Sequence, residues 1–219
     1  MNILKSFFFT ILYYVFLNII GLWILIIPIE TEYLFVLKYQ HFITSIIVLF
    51  SVYILFRVFK RFDSLKFTKT ENKFYIIAVV LGIVFVFLQP FLKIIYYQKI
   101  PESFFPYKFS LENLSYLSVI TSILIVPITE ELFFRNYLQN ELTKTYKPII
   151  AIVLASFLFA LIHVPIISLF FEFSEFNMRQ AYIALFGGLI SGVMLYKSKS
   201  ILPSIIFHMF WNLTSWVLV

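Results

Sequence analysis

Two glutamates and an arginine stand inside an otherwise apolar stretch of the chain. In VPITEELFFRNYL, residues 126–138, they are Glu130, Glu131 and Arg135. Glu131 and Arg135 are four residues apart, so a helix would place them on one face in the orientation that favours an ion pair. Glu130 would point about 100° away from Glu131 and stay free of that partner. Within a membrane span such residues are costly, at roughly 2.5–3.5 kcal/mol for a charge at mid-membrane, and they usually mark a functional site.

Two further apolar segments each carry a histidine one helical turn from a second notable residue. ASFLFALIHVP contains Phe159 and His163, and PSIIFHMFWNL contains His208 and Asn212. A single histidine in an apolar helix is more often a hydrogen-bonded packing residue than a catalyst. Here the paired carboxylates and two of the three histidines all lie between residues 130 and 212, which favours a shared site. The third, His41, is predicted to be a structural residue at the membrane interface.

The composition predicts an integral membrane protein. The chain has 219 residues, of which 62% are hydrophobic and 13% charged. Soluble domains usually hold about 45–50% apolar and about 25% charged residues. The absence of cysteine excludes disulfides, thiolate metal ligands and cysteine nucleophiles. The net charge of +6 comes from basic residues between apolar runs, which indicates topology signals and no nucleic-acid partner.

The hydrophobic segments predict an all-α, polytopic transmembrane bundle with about seven spans, folded as a single domain over residues 1–219. A spanning helix needs roughly 20 mostly apolar residues. The candidate spans are 6–28, 41–59, 74–95, 115–139, 148–164, 180–196 and 201–218. Gly188 and Gly192 form a small-residue pair in the sixth span, which would let a neighbouring helix approach closely.

The distribution of basic residues predicts the orientation of the bundle. Positively charged loops stay on the cytoplasmic side. The connection at 57–73 carries six basic residues, and the resulting topology places the N-terminus inside, residues 29–40 outside and the C-terminus outside. The opposite side then receives most of the acidic residues, namely Glu30, Glu32, Glu102, Glu112, Glu172 and Glu175.

The EExxxR pattern also has a purely structural interpretation, in which the charges mark an early end of the fourth span and lie in a basic interface. If the span instead ends near Gln139, Glu130 lies roughly 14 Å from its cytoplasmic end at about 1.5 Å per residue. His208 lies roughly 10 Å and His163 roughly 22 Å deep on the same scale. These depths are similar enough for long side chains to meet, with His163 as the outlier that helix tilt or a later start of the fifth span would account for. We predict that Glu130, His163, His208 and Asn212 converge on one water-accessible cavity that opens toward the cytoplasm.

The three patterns EExxxR, FxxxH and HxxxN, taken in order, resemble the motifs of the CPBP family of intramembrane proteases. This family includes the type II CAAX prenyl endopeptidases and Abi-like bacteriocin-immunity proteins. The resemblance covers residues 115–219, the predicted catalytic core, and includes FGGLISG of the sixth span. Residues 1–114 match only as generic hydrophobic helices.

The resemblance implies a role for each motif residue. Peptide hydrolysis without Ser or Cys requires an activated water and a stabiliser for the oxyanion. Glu130 and His163 would hold and deprotonate the water, and His208 and Asn212 would donate hydrogen bonds to the oxyanion.

The remaining motif residues, Glu131, Arg135 and Phe159, would support the catalytic face structurally. No cofactor is required by this scheme. A metalloprotease alternative stays open, because one carboxylate and two imidazoles form a common zinc set. Its ligands would be Glu130, His163 and His208.

The predicted function is that of an intramembrane endopeptidase acting on a membrane-associated or hydrophobic peptide within the lipid bilayer. One alternative is a non-catalytic membrane scaffold or bacteriocin-immunity factor with the same fold. A transporter with Glu130 and His163 as a proton relay is the third possibility. The strong usage of Phe, Ile, Tyr and Lys suggests an AT-rich bacterial genome, and therefore a bacterial plasma membrane.

Overall fold

The described part of the chain folds into seven helices, as expected for an all-α protein. The computed structural model describes residues 1–21, 33–58, 65–100, 108–165 and 176–218. A short 3-10 turn, Glu112–Ser115, precedes the fourth helix. The helices are α1 (Ile3–Gly21), α2 (Tyr33–Val58), α3 (Asn72–Tyr97), α4 (Leu117–Thr143), α5 (Pro148–Leu161), α6 (Arg179–Ser198) and α7 (Leu202–Val217).

Five of the helices within these ranges are long and apolar enough to cross a membrane, namely α1, α2, α3, α4 and α6. The prediction of an integral multi-pass membrane protein is therefore supported by length and composition. The other two helices have 14 residues in α5 and 16 in α7, fewer than the roughly 20 that a full span requires. That all seven cross the bilayer stays a prediction.

Several predicted span boundaries differ from the helix ends. α2 begins at Tyr33, eight residues before the predicted start at 41, because the polar stretch KYQH lowers hydropathy without interrupting the helix. Residues 33–40 of the segment predicted to face outward are thus helical. The end of the first predicted span, 22–28, lies outside the described residues, as do 101–107 and 166–175 of the two long connections.

The fourth helix changes its geometry directly after the two glutamates. It is α-helical over Leu117–Glu131, π-helical over Leu132–Gln139 and α-helical again over Asn140–Thr143. Segments of π-helix inside α-helices are rare and occur frequently at functional sites. The helix also runs four residues beyond the predicted exit at Gln139. Because every side chain from Phe133 to Gln139 is buried, the π-helical segment is enclosed by the rest of the bundle.

The two sides of the π-helical segment contact different environments. Its aromatic side meets α1, where the Tyr13 ring stacks on Phe133 with centroids 4.3 Å apart and contacts Phe134 edge-on at 5.6 Å. Its polar side meets α6, where Gln139 Nε2 donates to the carbonyl of Gly192 at 2.9 Å. A single helix thereby separates an aromatic cluster from a polar interior.

Glycines permit the closest helix contacts. A Cβ on Gly192 would lie 2.8 Å from Gln139 Oε1 and 2.9 Å from Ile152, and one on Gly188 would lie 3.2 Å from the Ser156 Cα. The predicted close approach at this glycine pair is therefore confirmed, with α5 as one neighbour.

The segment that precedes α3 is anchored to the end of the bundle opposite the 98–116 connection. The Lys66 N–H donates to Asn136 Oδ1 at 2.9 Å, and its ammonium donates to Asn140 Oδ1 at 2.7 Å. Burial, and to a lesser extent the charge of Lys199, lowers the pKa of Lys66. The Lys66 carbonyl accepts from Ile201 N at 2.9 Å, which ties the segment to the start of α7.

We expect Gly82→Ala to destabilise the protein, because the new Cβ would lie 2.6 Å from the backbone oxygen of Phe207, which cannot move aside like a flexible side chain. The cost should be about 1–3 kcal/mol, the range for overpacking in a close-packed interior. The matched control is Ile83→Ala at an exposed position of α3. Thermal unfolding in one detergent should show a lower midpoint for Gly82→Ala than for the control, and equal midpoints would contradict the close contact between α3 and α7.

Candidate active site

The four residues predicted to be catalytic line one cavity of about 350 Å³. Glu130 lies on α4, His163 lies two residues beyond the end of α5, and His208 and Asn212 lie on α7. The packing of α4, α5 and α7 therefore brings the residues of all three patterns together. The other lining residues are His41, Gln89, Ser122, Val126, Gln180, Ile183, Trp211, Ser215 and Trp216.

The cavity lies in the half of the bundle that contains the end of α3, the start of α4, the end of α5 and the start of α6. Its wall includes Gln89 from the second half of α3, Ser122 from the first half of α4, Gln180 from the start of α6 and Trp216 from the end of α7. The predicted topology assigns these helix ends to the outer side. A wall built from these helix ends conflicts with the prediction that the cavity opens toward the cytoplasm. Both the opening and the topology stay predictions. The depths counted along single helices did not reveal this conflict.

The His208 ring lies between the two glutamates. Its Nδ1 is 3.1 Å from Glu131 Oε1, and its Nε2 is 3.8 Å from Glu130 Oε2. Because an ionised carboxylate only accepts hydrogen bonds, Nδ1 carries the proton in this contact. In the neutral ring Nε2 is then an acceptor, and only the doubly protonated ring can donate from Nε2.

Glu131 connects three helices. Its Oε2 accepts a hydrogen bond from Ser191 Oγ of α6 at 2.5 Å and faces Arg135 Nε of α4 at 3.4 Å. Its Oε1 accepts from His208 of α7. The predicted ion pair with Arg135 is present, but the contacts with His208 and Ser191 were not predicted, because spacing along one helix says nothing about partners on other helices.

Arg135 contacts Glu131 and packs on the ring of Phe159. The Arg135 guanidinium lies 4.8 Å above the Phe159 ring, and the side chains of Arg135 and Glu131 are 0% and 1% exposed. No described group accepts a hydrogen bond from the Arg135 nitrogens, so charge and ring contacts hold the guanidinium. The Phe159 ring also contacts the rings of His163 at 4.7 Å and His208 at 5.9 Å.

His163 is held by the backbone of its own helix. Its Nδ1 lies 2.9 Å from the carbonyl oxygen of Phe159. A carbonyl only accepts, so Nδ1 is the protonated nitrogen and Nε2 carries the lone pair in the neutral ring. The FxxxH spacing therefore fixes the ring through a main-chain bond as well as the edge-on contact with Phe159.

Asn212 contacts α4 on the same side of the cavity. Its Nδ2 donates to the carbonyl oxygen of Ser122 at 2.8 Å, which leaves the second N–H of the amide for another acceptor. Ser122 also contacts His41, whose Nε2 lies 3.0 Å from the hydroxyl oxygen. Sequence reasoning placed His41 at an interface and did not identify Ser122. The position of a histidine near the end of a predicted span does not indicate that its side chain lines a cavity.

The described residues contain no preformed set of zinc ligands. Among them, no group of three or more His, Cys, Asp or Glu side chains is arranged to hold a metal ion. Glu130, His163 and His208 all line the cavity but do not form such a set. The Nδ1 of His208 and of His163 is engaged by protein acceptors, which leaves Nε2 as the nitrogen of each ring that is available to a ligand.

Comparison with known proteins identifies the C-terminal part of the chain. Residues 112–214 match the family model described as type II CAAX prenyl endopeptidase Rce1-like. The match supports the resemblance of this segment to the CPBP family of intramembrane proteases. Its range includes the residues of all three motifs. Searches of curated proteins and of solved structures gave no match.

We expect Arg135→Ala to lower the stability of the protein strongly. It would leave Glu131 as a buried carboxylate without its cation, and breaking a buried pair typically costs about 3–5 kcal/mol. The control is Lys73→Ala, which breaks an exposed pair with Glu71 and should cost at most about 1 kcal/mol. Membrane abundance and thermal unfolding in detergent report the difference. If both variants behave like the wild type, the ion pair does not support the bundle.

Proposed function

We propose that the protein is an intramembrane endopeptidase that hydrolyses a peptide bond of a membrane-associated or hydrophobic peptide. The observation that carries this proposal is the convergence of Glu130, His163, His208 and Asn212 on one cavity. The cavity thereby combines a carboxylate, two imidazoles and an amide in an apolar bundle. The match of residues 112–214 to a protease family model supports the same reaction.

In the proposed reaction, Glu130 and His163 activate the hydrolytic water. The carboxylate of Glu130 accepts one proton of the water. The Nε2 atom of His163 accepts a hydrogen bond from the other O–H of the same water. The water oxygen forms a bond to the peptide carbonyl carbon, and the carbonyl oxygen becomes an oxyanion. The proton held by Glu130 then passes to the leaving nitrogen, the C–N bond breaks, and a carboxylic acid and an amine are released.

Asn212 and His208 stabilise the oxyanion in this scheme. Asn212 offers the N–H that it does not donate to Ser122. His208 can donate from Nε2 only when both ring nitrogens are protonated, because its Nδ1–H points to Glu131. Glu131 therefore acts as a positioning residue for His208, in addition to pairing with Arg135. Preorganised donors of this kind are usually the largest single contribution to acyl-transfer catalysis.

The proposed membrane arrangement has seven crossings, the N-terminus inside and the C-terminus outside, in a bacterial plasma membrane. The basic connection at 57–73 supports this orientation. Under it, the cavity lies in the outer half of the bilayer, because it is built from the helix ends predicted to face outward. The substrate would then reach the site from the outer leaflet or the outer aqueous phase.

The same fold without catalysis remains the competing proposal. A membrane scaffold or bacteriocin-immunity factor would need the bundle and the Glu131–Arg135 pair, but not the carboxylate of Glu130. Removal of the Glu130 charge therefore separates the two functions.

We expect Glu130→Gln to abolish cleavage while preserving membrane abundance, because it keeps the side-chain shape and removes the base. The loss of a general base should reduce the rate by about 10²-fold or more. The measurement is a mass-spectrometric comparison of peptides from cells that carry the wild type or Glu130→Gln.

The matched control for this comparison is Glu112→Gln, which changes an exposed glutamate outside the cavity and should match the wild type. A Glu130→Gln strain with the same peptides and phenotype as the wild type would refute the protease and favour the scaffold.

The orientation is tested by single cysteines, since the chain contains none. Lys69→Cys is suitable because Lys69 is exposed, whereas Lys66 holds two asparagines. In intact cells an impermeant thiol reagent should leave Lys69→Cys unlabelled and should label Lys99→Cys, at an exposed position at the opposite end of α3. The reverse pattern would invert the topology and place the cavity in the cytoplasmic half.

A further inference from the structure

We propose that His41 is a positioning residue of this site, which acts through Ser122 on the Asn212 amide. The inference builds on the proposed hydrolysis. His41 lies on α2, before residue 112, where the family match begins. None of the three motifs includes it.

The location of His41 connects it to the reacting groups. It lines the cavity that contains Glu130, His163, His208 and Asn212. It also lines an adjoining cavity of about 210 Å³ between α1, α2 and α4, which again includes Glu130. The His41 side chain is exposed and borders both spaces beside the same carboxylate, so one ring can lie at the interface and also contact the site.

The hydrogen bonds around Ser122 define how His41 is held. The Ser122 hydroxyl donates to the Ser118 carbonyl at 2.9 Å, which uses its single proton. The contact of 3.0 Å with His41 is therefore donated by the imidazole Nε2–H to the Ser122 oxygen. His41 thus differs from His163 and His208, whose protonated nitrogen is Nδ1.

Ser122 connects His41 to Asn212 through two hydrogen bonds. Its hydroxyl is bonded to α2 through His41, and its carbonyl oxygen accepts from Asn212 Nδ2 at 2.8 Å. The bond from His41 holds this part of α4 against α2, and the carbonyl in turn fixes the rotation of the Asn212 amide on α7. The orientation of the remaining amide N–H toward an oxyanion thereby depends on a residue of a third helix.

The expected effect is on the chemical step. An interaction that aligns an oxyanion donor is realised in the transition state, so its loss lowers kcat and leaves KM nearly unchanged. His41→Phe keeps the ring size but removes the donor. His41→Gln offers a replacement N–H near the position of Nε2.

The test measures kcat and KM in detergent with a peptide that accumulates in Glu130→Gln cells. We expect about a tenfold lower kcat for His41→Phe and for Ser122→Ala, less than the roughly 10²–10³-fold cost of losing an oxyanion donor outright. KM should stay within about twofold, and His41→Gln should keep kcat within about threefold of the wild type. The double variant should be no slower than either single variant, because the two residues act through one bond.

Three outcomes would overturn the inference. If His41→Phe and Ser122→Ala keep the wild-type kcat, His41 has no positioning role. If His41→Gln is as slow as His41→Phe, the imidazole acts by other means, and a change in KM alone would indicate substrate contact. Should His41→Phe fail to fold, Ser122→Ala alone decides. Failure of the proposed function is distinct, because Glu130→Gln would then be as active as the wild type.

Discussion

The bundle depends on a carboxylate that lies where water does not reach. Glu131 is 1% exposed, and its oxygens contact Arg135, Ser191 and His208 on three helices. A buried charge is tolerated only when it is paired and hydrogen-bonded, so these partners constrain the relative positions of α4, α6 and α7. Many exposed side chains of the described helices are apolar, and apolar contacts are not directional. The polar centre therefore specifies which helix faces meet, while apolar packing fills the remaining space.

The contacts of Glu131 connect the stability of the bundle to the proposed catalytic groups. One ring nitrogen of His208 contacts Glu131 and the other faces Glu130, so the residue that stabilises the bundle also sets the tautomer of a proposed catalytic group. Phe159 has a similar double role, because its ring contacts Arg135 on one side and both motif histidines on others. A substitution at Glu131, Arg135 or Phe159 would therefore change the stability of the bundle and the geometry of the site together. A conservative change at Glu130 separates the effect on catalysis from the effect on stability better.

The cavity extends beyond the segment that the family match covers. Residues 112–214 supply the three motifs, whereas His41 on α2 and Gln89 on α3 complete the wall. The N-terminal helices are therefore part of the environment of the site, although residues 1–114 match the motif family only as generic hydrophobic helices.

The sequence by itself determined the class of the protein and the residues worth examining. Its apolar content predicted a multi-pass helical bundle, and the spacing of Glu131 and Arg135 predicted an ion pair that is present. Local spacing works here because one turn of helix brings residues four apart together. Only the tertiary structure decided that Glu131 also holds His208, that His41 reaches the cavity, and which end of the bundle contains it. Those contacts join residues far apart in the chain, and their geometry follows from how whole helices pack.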